Sequence, residues 1–179
     1  GIAAYHYFRM FDSFKAAFVT DAKGAQGTYT QAVGESFNEG YRYVDWLLTV
    51  PLLLAELVVV LALARKLRNS LLIRLIPASA LMIALGYPGE ISTDNFTRNV
   101  WGLLSTIPFL YILYVLFVEL TRSLDRQPEA VRDTVSKMRI LLFATWGVYP
   151  IAYLLPIYFG HTGAASWVAK QGGYSIADI

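Results

Sequence analysis

Arg42, Asp45, Thr49 and Glu56 stand out because they interrupt an apolar run, residues 43–64, in which Asp45 and Glu56 are the only charges. At 100° per residue, Thr49 falls ~40°, Glu56 ~20° and Arg42 ~60° from Asp45, so the four share one helix face. Asp45 and Glu56 are eleven residues apart, ~16 Å along the axis. An ionisable group inside a bilayer costs ~2.5–3.5 kcal/mol even on the lenient insertion scale. Several on one face mark a proton or ion path; the plainer alternative is a polar seam that holds helices together. Stepwise proton transfer needs two carboxyls in different surroundings. Asp45, beside Arg42, is expected ionised; Glu56, flanked by Leu53, Leu54, Ala55, Leu57 and Val58, is expected protonated.

Aromatic residues recur at helical spacing nearby. Trp146, Tyr149, Pro150 and Tyr153 follow an i, i+3, i+4, i+7 pattern. Trp101, Ser105 and Phe109 line a face of the preceding run, Met82 and Gly86 share a face of the run before that, and Trp46 adjoins Asp45. Ordinary packing explains such stripes when they stand alone. Beside an intramembrane carboxylate they outline a slot for a long, flat, apolar ligand with one charged end.

The elements that must hold these residues are membrane helices. Of 179 residues, 56% are hydrophobic and 16% charged, with a mean hydropathy of +0.46, against ~25% charged in a soluble domain. The absence of cysteine excludes a secreted disulfide scaffold, and a net charge of +2 without a basic stripe argues against nucleic-acid binding. Residues 140–160 and 100–118 carry no charge, and residues 75–89 are charge-free, extending back past Arg74 to Leu71. Each approaches the ~20 apolar residues a spanning helix requires. The length suits about five crossings, all in one domain over residues 1–179. Residues 1–8 read as the end of a further span, and Gly172-Gly173 reads as a turn after which another span begins. The chain is therefore expected to be a piece of a larger bundle. Pro51, Pro77, Pro108, Pro150 and Pro156 lie within apolar runs, where neighbouring helices can satisfy the freed backbone groups.

Nine of the fifteen Lys and Arg residues cluster near two alternate connections: Arg65, Lys66, Arg68 and Arg74, then Arg122, Arg126, Arg132, Lys137 and Arg139. Both belong on the cytoplasmic side by the positive-inside rule. Residues 13–40 then face outward, and their Thr28–Val33 core predicts a small β-hairpin.

The run Arg42-Tyr43-Val44-Asp45-Trp46-Leu47-Leu48-Thr49-Val50-Pro51-Leu52-Leu53-Leu54-Ala55-Glu56 resembles the third helix of the microbial (type 1) rhodopsins. Trp146-Gly147-Val148-Tyr149-Pro150 resembles their sixth helix, and residues 101–114 their fifth. His6 in Ala-Tyr-His-Tyr, Gly86-Tyr87-Pro88-Gly89-Glu90 and Glu56 are most similar to the proteorhodopsin and xanthorhodopsin branch of outward proton pumps.

The resemblance implies an all-α integral membrane protein, a seven-helix retinal-binding bundle covered here from the second helix, in part, to the start of the seventh. It implies a light-driven outward proton pump with all-trans retinal on a Schiff-base lysine. This is a transporter and not an enzyme, in a multi-pass cell membrane location, with lipid and protons as partners, a homo-oligomeric state, and no metal. Asp45 would accept the Schiff-base proton and Thr49 would hydrogen-bond within that complex. Glu56 would be the cytoplasmic donor, Arg42 would lie outward of the counter-ion, and Asp178 in Ala177-Asp178-Ile179 matches the second counter-ion. His6 would hydrogen-bond Asp45. Trp46, Leu53, Met82, Gly86, Trp101, Ser105, Phe109, Trp146, Tyr149, Pro150 and Tyr153 would line the retinal. Gly102 stands where many relatives carry a bulky aromatic; glycine there resembles members with a carotenoid antenna.

The chain also departs from the family pattern. The retinal lysine is expected four residues after Asp178, beyond Ile179, and Tyr153 stands where many relatives have tryptophan. The 157–173 connection holds no Asp or Glu, whereas relatives that release protons early use a carboxylate pair there. The competing readings are a photosensory rhodopsin signalling to a transducer, which needs no carboxylic donor, and a non-photochemical channel or transporter.

Overall fold

A computed structural model describes residues 2–20, 29–31, 34, 37–61, 63–124, 128–158 and 164–178. The described residues are helical apart from one two-stranded hairpin and short connections. Its elements are α1 (Ile2–Ala17), β1 (Phe18–Thr20), β2 (Tyr29–Gln31), α2 (Gly40–Val60), α3 (Arg65–Ile91) and α4 (Asn95–Tyr114). A π-helical turn (Val115–Glu119) leads into α5 (Leu120–Leu124), followed by α6 (Glu129–Trp146), α7 (Val148–Tyr158) and α8 (Ala164–Ala177).

Among the described residues, four helical runs are long and apolar enough to cross a bilayer: Gly40–Val60, Arg65–Ile91, Asn95–Arg122 and Glu129–Tyr158. Their outer faces show Leu52, Ile73, Leu103, Ile107, Leu141 and Ile151, all exposed. Lipid tails are as apolar as leucine, so no hydrophobic penalty drives such residues inward. Pro51, Pro77, Pro88, Pro108 and Pro156 all lie inside helices that continue past them.

The described chain forms two compact units. Residues 43–143 make up one. Here α3 packs on α4, with Ser105 Oγ donating to the carbonyl of Met82 at 2.7 Å. Asp94 starts α4 as its N-cap: its Oδ2 accepts from Thr97 N at 2.7 Å and from Thr97 Oγ1 at 2.6 Å. These bonds, the hydroxyl's first and the backbone's second, hold the exposed Asp94 carboxyl below its ordinary value. The other unit comprises residues 1–42 and 144–179. In it β1 pairs antiparallel with β2, Val19 opposite Thr30, giving the hairpin expected in the outward stretch.

Several sequence expectations change. Residues 1–8 belong to a helix that runs on to Ala17. Gly172-Gly173 is not a turn, because α8 starts at Ala164 and passes through both glycines, so residues 157–173 are not all connection. A Cβ on Gly173 would stand 2.9 Å from the Cβ of Ala152 on α7, so glycine here permits close helix approach. The Trp146–Tyr153 stripe is not one continuous helix face: α6 ends at Trp146 and α7 starts at Val148. Pro150 has no N–H to give the Trp146 carbonyl, so the i→i−4 ladder breaks there.

Of the nine cations that mark the two connections, all but Arg126, which lies outside the described residues, sit in helices, and two of them reach neighbouring elements. Arg74 on α3 makes a two-pronged ion pair with Glu119, Nη1 to Oε1 at 2.8 Å and Nη2 to Oε2 at 2.6 Å. Arg139 is buried within α6. Its Nη1 donates to the Leu116 carbonyl at 3.1 Å and to Thr121 Oγ1, and its Nη2 to Ser136 Oγ at 3.2 Å. A π turn shifts the backbone bonds to i→i+5 spacing. The Arg139 guanidinium supplies a donor to a carbonyl inside that turn.

Candidate functional site

Helix periodicity assembles the polar centre of the 1–42/144–179 unit. On α8, Lys170, Tyr174 and Asp178 recur every four residues, as do Gln171 and Ser175, so they form adjoining rows on one face. The first turn of α2 presents Arg42 to those rows. Arg42 Nη1 donates to Gln171 Oε1, Nη2 donates to Ser175 Oγ at 3.2 Å, and Nε lies 3.4 Å from Asp178 Oδ2. The guanidinium carbon sits 5.2 Å from the centre of the Tyr174 ring. From α7, Tyr149 Oη donates to Asp178 Oδ1 at 2.6 Å. Asp178 thus receives a tyrosine hydroxyl on one oxygen and faces a cation with the other.

The network continues outward. Gln171 Nε2 donates to both oxygens of Glu39 at 2.9 Å, and Lys170 Nζ donates to Glu39 Oε1 at 2.8 Å. Lys170 has no exposed surface and its ammonium stands 3.6 Å from the centre of the Trp167 ring. Glu39, Arg42 and Gln171 are buried with it.

The 43–143 unit contains a second cluster. Asp45 is buried one turn along α2 from Arg42. The Thr49 hydroxyl donates to the Asp45 backbone carbonyl at 2.8 Å, the i−4 bond that helical threonine often makes. Tyr43 stacks obliquely on Trp46 at 5.0 Å and on Tyr87 at 5.2 Å, and its hydroxyl donates to Glu90 Oε2 at 3.2 Å. Gly86 forms the floor of a cradle. A Cβ there would lie 3.3 Å from Tyr43 Oη and 3.4 Å from Ser105 Oγ.

Within one unit, then, Arg42, Tyr149 and Asp178 come together; within the other, Met82, Gly86 and Ser105 do. Trp46, Trp101, Gly102, Phe109 and Trp146 are half-buried and Tyr153 is buried. Gly102 gives its carbonyl to the Thr106 hydroxyl at 2.7 Å. Glu56, Leu53 and Pro150 are exposed. His6 is half-buried on α1, its ring tilted against Tyr5. Sequence reasoning missed Glu39, Lys170, Gln171 and Ser175. Had residues 164–177 been read as a helix, the i, i+4 row through Asp178 would have revealed Lys170, and the adjoining row Gln171 and Ser175.

Comparison with known proteins agrees with this architecture. The bacteriorhodopsin-like protein family matches residues 1–179. The chain is 36% identical over 155 residues to archaerhodopsin-2 of Halobacterium sp. (strain aus-2), covering 87% of this chain and 55% of that protein. It is 30% identical over 128 residues to green-light absorbing proteorhodopsin of Gamma-proteobacterium EBAC31A08, covering 70% and 50%. It thus spans about half the length of the curated relatives it matches. Among solved structures, thermophilic rhodopsin is 47% identical with a TM-score of 0.85. Xanthorhodopsin, a light-driven ion pump with dual chromophore, is 48% identical with a TM-score of 0.81. Each likeness covers 99% of this chain and 69% of the other. With four membrane-length helices and a family match over its whole length, the chain is a multi-pass membrane protein of the bacteriorhodopsin-like family, a microbial type 1 rhodopsin.

Proposed function

We propose that the protein to which this chain belongs is a light-driven outward proton pump that uses retinal. The observation that carries this reading is the buried cluster in which Arg42 faces Asp178 at 3.4 Å while Tyr149 donates to the same carboxylate. A balanced charge set of this kind inside a membrane bundle suits a cationic ligand end whose proton is to be moved.

The residues present fit retinal. The Gly86 cradle, which a Cβ would fill, lies between Tyr43 and Ser105, with the Met82 carbonyl held by Ser105. Such a floor admits a flat apolar ring. In this reading Trp46, Leu53, Trp101 and Phe109 are the further retinal-facing residues of the 43–143 unit, and Trp146, Pro150 and Tyr153 are those of the other unit. Bound on a lysine expected one helical turn after Asp178, retinal supplies a light-driven isomerisation that changes where its proton can go. Asp45 would take up that proton on its carboxylate. Thr49 orders the α2 backbone at Asp45, and His6 is the imidazole assigned to the same proton path. Arg42 and Asp178 hold the remaining charge balanced. Glu56, eleven residues toward the cytoplasmic side, returns a proton from its carboxyl.

Gly102 is the site proposed for a carotenoid antenna. Xanthorhodopsin carries two chromophores, and a glycine in α4 leaves room on that helix where an aromatic side chain would close it.

Light should make cells carrying the full-length protein acidify their medium, and a protonophore should abolish the signal. Asp45→Asn should give a red-shifted pigment that does not pump. Pumping at the wild-type rate by Asp45→Asn would overturn the assignment.

A further inference from the structure

We propose that the buried Lys170–Glu39 ion pair, linked by Gln171 to Arg42, is a positioning device that sets how strongly Arg42 bears on Asp178. The proposal rests on the retinal-pump reading and names residues outside the acceptor and donor path.

The argument starts from what the pair costs. Burying an ammonium and a carboxylate carries a desolvation penalty of several kcal/mol per ion, offset only by good geometry and further hydrogen bonds. Both conditions hold. Lys170 bonds Glu39 at 2.8 Å, Trp167 covers the ammonium, and Gln171 donates to both Glu39 oxygens. An ion pair of this kind is weak as a source of stability and well suited to fixing a geometry.

The orientation of Gln171 follows from Glu39. A carboxylate can only accept, so the amide nitrogen must face it, and the amide oxygen is left pointing at Arg42. That oxygen is the acceptor for Arg42 Nη1. Ionised Glu39 thereby draws the guanidinium outward through the amide, while Asp178 draws it inward. Lys170 moderates the outward pull, because it cancels most of the Glu39 charge.

Other described groups also face this chain. Tyr149 from α7 donates to Asp178, Tyr174 of α8 lies under the guanidinium, and Ser175 accepts from Nη2. Tyr7 of α1 interacts electrostatically with Tyr149. Arg9 of α1 is engaged with Tyr41 Oη at 3.0 Å. Asp45 lies one turn along α2. Among these, only Lys170 and Glu39 can change the charge on the outward side of Arg42 without touching Asp178.

The test is the midpoint of the acid-induced colour change in the full-length, retinal-loaded protein, a reading independent of transport. Lys170→Met removes a positive charge beside Glu39, strengthens the pull of Glu39 on Arg42 through Gln171 and should move the midpoint to higher pH. Glu39→Gln removes the negative charge that draws Arg42 away from Asp178 and should move the midpoint to lower pH. Lys170 and Asp178 are eight residues apart on one helix, ~12 Å. One unit charge at that distance, in a medium of effective dielectric ~20, corresponds to about one pH unit.

The double variant should return close to the wild-type midpoint, and Lys170→Arg should match it. Gln171→Met cuts the link without changing charge and should also lower the midpoint, which keeps the test available if Lys170→Met fails to assemble. Damage to folding alone would move both single-charge variants the same way. A midpoint unmoved in either assembled single-charge variant, or moved in the same direction in both, overturns the proposal while leaving the pump reading standing. Failure of the full-length protein to form a coloured pigment would instead remove the pump reading itself.

Discussion

Replacing Gly172 and Gly173 separately with alanine should have opposite effects on stability. Both glycines lie within α8, so each replacement gains the same ~0.8–1 kcal/mol of helix propensity. Their surroundings differ. A Cβ at Gly172 meets nothing within 4 Å, whereas one at Gly173 meets the Ala152 Cβ at 2.9 Å and Val148 Cγ1 at 3.9 Å. Carbon atoms settle ~3.5–4.0 Å apart, so α7 and α8 must separate by several tenths of an ångström at least. Overpacking of this kind costs ~1–3 kcal/mol. Gly172→Ala should therefore be neutral to stabilising by up to ~1 kcal/mol. Gly173→Ala should fall below it by ~1–3 kcal/mol, roughly a 5- to 150-fold change in the unfolding equilibrium. The assay is denaturation of the full-length pigment in mixed detergent micelles with increasing dodecyl sulfate, followed by visible absorbance and by helical circular dichroism. Equal midpoints, or a larger loss at Gly172, would refute the reasoning. The second result would also mean that the Gly-Gly pair is a turn after all.

Three further outcomes follow from the site and its supports. Glu56→Gln should leave the dark spectrum nearly unchanged and slow the late photocycle many-fold, with added azide restoring part of the rate; an unchanged late photocycle removes Glu56 from the path. With carotenoid supplied, light in the carotenoid band should drive pumping by the wild type and not by Gly102→Trp, and equal action spectra would exclude the antenna site. Asp94→Ala should weaken the start of α4, and because the native carboxyl titrates lower than in the unfolded chain, the advantage of Asp94 is present above the unfolded value near 3.8 and fades as pH falls through the lower native one. Amide exchange at Thr97 should therefore separate wild type from variant at neutral pH and converge in acid; a difference that persists unchanged in acid would count against the cap.

The membrane class, the spans and the polar face of α2 are legible in one dimension because they depend on local quantities. Twenty apolar residues can satisfy their backbone only as a helix in lipid, and a 3.6-residue period puts Arg42, Asp45, Thr49 and Glu56 on one side whatever surrounds them. The resemblance over residues 42–56 then led to the family that comparison establishes. The errors came where a local signal had a tertiary meaning. Gly172-Gly173 reads as a turn because glycine is permissive. Here it is a helical surface cut low so that α7 can approach. Arg74 and Arg139 read only as charges that mark a cytoplasmic connection, because cations favour that end of a span. Here each reaches a neighbouring element, one a carboxylate and the other a carbonyl in the π turn.

The sequence by itself determined that the chain crosses a membrane and which residue types stand on the α2 face, since hydropathy and helical period need no partner. Only the tertiary structure decided what those charges meet. Lys170 and Glu39 are 131 residues apart in the chain, and Arg42 and Gln171 are 129 apart. No spacing rule joins them. Burial makes such pairings compulsory once the helices pack, because a charge removed from water must find its partner wherever the fold has placed one.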